Sequence, residues 1–226
     1  MGDCVIGKAL GERFERLHPT IREQYSINSE SAHAWIGRGV MRRIWRGGPH
    51  VAPFIWIGSR RRILFVETGR DVPFTVTLIA YRDAAGRECI TWLRAFDFGE
   101  THRRFDEVLA WSDRRHRTVV LCGTRQHLAV DIDLDADRTG ALMLQTSGQR
   151  VYAWGARVPW PRLVSGDARV RAGVEQDGHL SIDGGIHNPL FGRIFGYEGI
   201  FELQRVPREE ACDFAAWEPA HANRWE

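Results

Sequence analysis

FTVTLIAYRDAAGRECITWLRAFDFGETHRRFDEVLAW, residues 74–111, decides the fold class. Phe74, Val76 and Leu78 alternate with Thr75 and Thr77, the two-residue period of a strand with one apolar and one hydroxylated face. Asp83 to Arg87, with Gly86 inside it, reads as a turn. From Glu88 to Phe98 the side chains of Ile90, Trp92, Arg94, Phe96 and Phe98 share one side, and Cys89, Thr91, Leu93, Ala95 and Asp97 share the other. Arg103 to Trp111 supplies a third strand. Strands joined by tight polar turns, with no helix between them, pair antiparallel. Charged residues among the aromatics imply a sheet that curves around a cavity rather than a solid core.

Working outward, Ser112 to His116 is a turn and Arg117 to Cys122 a strand. Leu128, Val130, Ile132 and Leu134 then alternate with Ala129, Asp131 and Asp133. Ala141 to Gln145 and Arg150 to Trp154 read as two further strands, followed by a loop around Pro159-Trp160-Pro161. Asp177-Gly178 joins Ala168–Val174 to Leu180–Ile186 as a hairpin, and Tyr197 to Val206 ends the sheet. Upstream, Gly37-Arg38-Gly39 interrupts a strand. Arg42 stands where a dinucleotide fingerprint needs its third glycine, so the pair predicts a bulge or bend. Pro49, Pro53, Gly47, Gly48 and Gly58 predict an irregular crossing before Ile63-Leu64-Phe65-Val66. Leu10, Phe14, Leu17 and Ile21 recur at helical spacing, and Pro19 opens a second short helix through Tyr25. The expected fold is mainly β, an antiparallel β-barrel or strongly curved sheet with short N-terminal helices. A single domain is expected over residues 1–226, divided into a helical segment 5–27, a β-rich body 34–206 and a tail 207–226.

Composition narrows the function classes. The basic residues are almost all arginine, yet 31 Lys+Arg against 29 Asp+Glu leave a net charge of only +2, which argues against a nucleic-acid surface. Cys4, Cys89, Cys122 and Cys212 are far apart and form no zinc or redox pair. Asp131, Asp133, Asp135 and Asp137 precede Gly140, but Ala136 and Leu142 occupy the glycine and glutamate positions of a calcium loop. No metal and no cofactor are expected. No apolar run reaches spanning length and no basic leader opens the chain, so the expected location is cytoplasmic, with no membrane partner.

The candidate chemistry centres on Arg94. Flanked in the pleat by Trp92 and Phe96, it either pairs internally with Glu88 or Glu107 or binds an oxyanion in the cavity. His127 and Asp131 project from the same side of one strand and are the candidate proton-moving groups, against the alternative of an outer polar face. Arg94, His127 and Asp131 form the expected catalytic set. Trp92, Phe96, Glu107, Trp111, His187, Asn188 and Tyr197 form the expected ligand-binding set, with the glycine- and aromatic-rich loop after His187 as a lid.

Leu17-His18-Pro19, Gly37-Arg38-Gly39-Val40-Met41, Thr68-Gly69-Arg70-Asp71-Val72-Pro73-Phe74, Gln126-His127-Leu128-Ala129-Val130-Asp131 and Asn188-Pro189-Leu190-Phe191-Gly192 carry a likeness over Leu10 to Val206. There the chain resembles the bacterial domain-of-unknown-function family DUF4166. Members of that family occur alone or fused to saccharopine-dehydrogenase-like reductase domains, and the resemblance implies small-molecule metabolism in a stand-alone form. The expectation is a small-molecule-binding barrel acting as a cofactor-independent cyclase, isomerase or lyase on an apolar metabolite. The alternatives are a non-catalytic carrier and an accessory partner of a reductase. The expected partners are an apolar small molecule and, as an option, a second copy in a homodimer.

Overall fold

The computed structural model describes residues 4–60, 62–123, 128–153, 156–159, 163 and 165–215. Eleven strands follow in chain order: β1 (His33–Arg46), β2 (Gly69–Arg82), β3 (Glu88–Asp97), β4 (His102–Ser112), β5 (Arg117–Cys122), β6 (Leu128–Ala136), β7 (Leu142–Ala153), β8 (Ala156–Pro159), β9 (Asp167–Val174), β10 (Leu180–Asn188) and β11 (Gly192–Pro207). Neighbours from β1 to β7 pair antiparallel as a meander; β7 also pairs with β9, and β9, β10 and β11 return the sheet to β1. The seam runs from His33 opposite Pro207 to Arg46 opposite Phe195. Ten strands therefore close into an antiparallel barrel, with β8 attached to β7 alone. Closure leaves no open edge along the ring for another chain to extend.

The alternation in the sequence becomes the inside and outside of this wall. Phe74, Val76, Leu78, Ile90, Trp92, Val130, Ile132 and Leu134 all belong to the interior cluster. Outside, Ala34, Ile36, Ile79, Leu93 and Val206 are covered by Ala211 of helix α4 (Arg208–Ala215; α1 to α3 are given below), which forms in the tail. The glycine pair Gly37 and Gly39 lies within β1, and the expected bulge falls just after it, between Val40 and Arg43.

Short helices close one end of the barrel. In α1 (Val5–Leu10), Val5, Ile6 and Leu10 are buried; a 3-10 turn Gly11–Arg16 follows; and α2 (Pro19–Tyr25) starts on its proline and buries Ile21 and Tyr25. The segment is pinned to the β6–β7 turn, where the His18 N–H donates to the Gly140 carbonyl at 2.8 Å and Arg13 pairs with Asp135 at 3.1 Å. Gly140 has φ +80°, and a Cβ there would stand 2.6 Å from the His18 nitrogen, so both conformation and space require glycine.

Two sequence expectations are corrected. The crossing after β1 is not irregular throughout: Pro49–Val51 is a 3-10 turn, and helix α3 (Ala52–Ser59) follows with a proline in its first turn. An apolar run of this kind cannot be assigned by period alone, and the proline begins the helix rather than breaking structure. Ala141–Gln145 and Arg150–Trp154 are not separate strands, because β7 continues through the polar Thr146–Gln149, paired with β6 across a bulge at Asp131 and Ile132. In the proline-rich loop, Ala156–Pro159 is β8, while Trp154, Trp160 and Pro161 lie outside the described residues. No helix of the described residues is long and apolar enough to cross a membrane.

Candidate functional site: an interior cavity with a polar pole

The ring encloses a cavity of about 230 Å³. One water needs roughly 10–15 Å³ on this measure, so the space admits far more than a single solvent molecule. Its wall is overwhelmingly apolar, with Leu78, Val120, Val130, Ile132, Leu144 and Phe201 among the strand contributions. Gln24 and Tyr25 of α2 line it from the helical end; Ile55 of α3 with Ile63 and Leu64 lines it from the opposite end.

The polar pole is made by β3 and β4. Trp92 is paired in register with Glu107, and Arg94 with Phe105, so four inward side chains form a square on adjacent strands. Arg94 is 5% exposed, and its Nη1 donates to Glu107 Oε2 at 2.7 Å. Its guanidinium carbon stands 4.9 Å from the Phe105 ring centroid and 5.4 Å from that of Trp92, within cation–π range. Burial works against the charge, but the Glu107 carboxylate, through its hydrogen bond and its charge, outweighs it and holds the guanidinium above its ordinary range. Arg94 is therefore a fixed cation whose partner carboxylate also lines the cavity. Of the sequence alternatives, the internal pair with Glu107 is the one formed; Glu88 instead accepts from Arg82 and Ser29.

The remaining ionisable groups around this pole are neutral at ordinary pH. Burial pushes the Tyr25 and Tyr197 phenols upward, against the lowering effect of Arg94. Burial and then Glu107 push the Cys122 thiol up, so this wall residue is not a thiolate nucleophile. Tyr197 fits inside because Gly184 faces it: a Cβ on Gly184 would lie 2.8 Å from Tyr197 Cζ.

The structure gathers only part of the expected site. Arg94, Trp92 and Glu107 converge on the cavity, and Tyr197 stands within electrostatic reach of Arg94. Phe96 lies behind the wall in an aromatic cluster, 4.9 Å from Phe65 and 6.1 Å from Phe74 by ring centroids. The Trp111 indole N–H donates to Asp113 at 2.9 Å, away from the lining. Asp131 is not on the cavity wall. Its carboxylate takes hydrogen bonds from Arg115, Arg117 and Arg150; burial pushes it up, but these arginines prevail and hold it below the ordinary range, which makes it a poor base. His127 lies outside the described residues. His187 is exposed at the end of β10.

Asn188 is fully buried, and both ends of its amide go to backbone. Nδ2 donates to the Leu163 and Ser165 carbonyls at 3.0 and 2.6 Å, and Oδ1 accepts from the Leu190 and Phe191 N–H groups at 2.8 and 2.9 Å. It shapes the β10–β11 turn. The sequence reading missed Tyr25, Phe105, Cys122 and the α3 side of the wall. For Phe105 and Cys122 the signal was present, since each shares the inward parity of its strand.

Fold and cavity together define a class, the closed antiparallel barrel with an apolar interior chamber. Within it, the chain belongs to the family described as domain of unknown function (DUF4166), whose model matches residues 17–201. It is also similar to the uncharacterized protein YndH of Bacillus subtilis (strain 168), with 26% identity over 190 residues, 84% of this chain and 92% of that protein.

Proposed function

We propose that this protein binds a small, largely apolar molecule inside its barrel, with the molecule's polar group placed against Arg94 and Glu107. The observation that carries the reading is the chamber itself: a mainly apolar wall with one ion pair and the neutral polar side chains Gln24, Gln145, Thr146 and Gln149 set into it. Pockets of this composition hold ligands by burying apolar surface and orient them with a few polar groups. Because the Arg94 charge is already balanced, a neutral group that both accepts and donates hydrogen bonds suits the pole better than a free anion.

A second reading is cofactor-independent isomerisation, cyclisation or elimination on such a metabolite. One observation favours it: replacing a buried ion pair by apolar side chains is often neutral or stabilising, so its presence in a mainly apolar chamber fits a chemical role. In that reading Glu107 moves the proton, and Arg94 steadies developing negative charge on oxygen.

The test is incubation with a cell extract, repurification and native mass spectrometry, run beside a Val130→Trp variant that fills the chamber. Binding predicts an apolar compound retained by the parent and lost from the filled, folded variant. Equal retention by both, or none by either, would overturn it. Conversion of the retained compound, abolished by Glu107→Gln, would favour catalysis over carriage.

A further inference from the structure

The end of the barrel opposite the N-terminal helices carries an unusual surface. Helix α3, APFIWIGS, has no charged residue, yet it lies at the surface: Ile55 is fully buried against the cavity while Trp56 is 50% exposed. A helix without a polar face normally sits in a protein core or in lipid. Two more large apolar side chains join it. Leu190 is 62% exposed and Leu163 59%, and both are tied to Asn188, through the Leu190 N–H and the Leu163 carbonyl. His50, just before α3, reaches the same turn at the Phe191 carbonyl, 3.2 Å away.

Beside this apolar rim, Arg43, Arg46 and Arg70 line one groove whose other walls are Ile44, Trp45, Gly47, Pro49, Thr68 and Gly69. The lining contains no carboxylate, and none of the three arginines has an ion pair or hydrogen-bond partner among the described residues. Arg60 adds a further cation stacked 4.0 Å above the Trp56 ring. The nearby Glu67 and Asp106 are neutralised by Arg103 and by Arg62 and Arg104. Asp71 flanks Arg70, the exposed Glu198 stands opposite Arg43 in the β1–β11 register, and Asp97 and Glu100 lie at the β3–β4 turn, so the positive sector is carried chiefly by Arg46 of β1, Arg70 of β2 and Arg60 just after α3.

We propose that this rim docks on the surface of an anionic lipid bilayer, with the arginines at the phosphate level and Trp56, Leu163 and Leu190 in the interfacial layer. An exposed tryptophan beside arginines suits that boundary, where apolar bodies and charged tips are both satisfied. The position also has a consequence for the chamber: Ile55, Ile63 and Leu64 form its wall at this end, so an apolar ligand passing between bilayer and barrel would cross little water. The sequence expectation of no membrane partner rested on the lack of a spanning run, and docking needs none. Docking also does not require an occupied chamber, so it stands or falls separately from ligand binding.

The experiment is sedimentation of the full chain with phosphatidylcholine vesicles and with vesicles also containing phosphatidylglycerol, at low and high salt. The expected result is binding to the anionic vesicles only, weakened by salt. It should fall at least about tenfold in the Arg43→Gln, Arg46→Gln, Arg70→Gln triple variant and several-fold in Trp56→Ala, with circular dichroism unchanged. No binding to either composition, equal binding to both, or equal binding by parent and triple variant would overturn it.

Discussion

Arg94 and Glu107 are joined diagonally across β3 and β4, 2.7 Å apart, with Arg94 almost wholly buried and its guanidinium held between two rings. In the low dielectric of the barrel, either charge left alone is costly, although the pair itself adds little net stability. Arg94→Met is therefore expected to destabilise the fold by about 3–5 kcal/mol, and Arg94→Met with Glu107→Leu by clearly less than Arg94→Met alone. Urea denaturation of the three proteins measures this. Equal or greater loss in the double variant would show that the pair contributes net stability.

Asp137 is expected to make the β6–β7 turn sensitive to acid. Burial works to raise its pKa, but hydrogen bonds from the Thr139 hydroxyl, from the Ala141 and Thr139 N–H groups and from Arg171 bring it down to about 2 from an ordinary 3.8. A carboxyl with a depressed folded-state pKa contributes stability that is complete above the unfolded value and disappears as pH falls through the folded one. Asp137→Asn should thus be less stable than the parent at neutral pH, with the gap closing between about pH 4 and pH 2. A gap of constant size in denaturation series across that range would rule out the carboxylate as its source.

Gly184 and Tyr197 are register partners, and the ring occupies the space a Cβ would take, 2.8 Å from Cζ. Gly184→Ala is expected to cost about 1–3 kcal/mol through overpacking. In the double variant with Tyr197→Leu, the total cost should be smaller than the sum of the two changes made separately. Simple additivity in thermal or urea unfolding would mean that the ring moves aside freely.

How far the sequence carried this reading follows from which residues announce their surroundings. Strand parity survives folding because neighbouring side chains must point to opposite faces, so the Trp92, Arg94 and Phe96 side of β3 and the Val130, Ile132 and Leu134 side of β6 were legible before any coordinates. Parity does not tell wall from filler. Phe96 and Trp92 share a face, yet Phe65 packs on Phe96 from a segment far away in the chain and removes it from the chamber. Nor does it tell which face of a strand turns inward when both contain apolar residues. The pattern around Asp131 suits a base beside a cavity equally well, but three arginines, contributed by the β4–β5 turn, β5 and β7, surround its carboxylate. Helix α3 was hidden for a different reason: eight uncharged residues carry no period, and its role depends on what lies beneath it.

Asn188 offers the sharpest separation of structure from binding. Its amide makes four hydrogen bonds to backbone groups from two segments, and Asn188→Ala would leave the Leu163 and Ser165 carbonyls and two turn N–H groups to find other partners. Buried polar groups that lose a partner cost about 1–3 kcal/mol each, less wherever water can enter. The turn lies at the surface, since Leu190 is exposed, so water can restore some of these bonds, and a total loss of about 2–4 kcal/mol is expected. Because the side chain is absent from the cavity lining, the fraction of folded protein retaining an interior ligand should not change. Unfolding curves and native mass spectrometry on the same preparation read both quantities. Full stability with lost ligand would return Asn188 to the binding site.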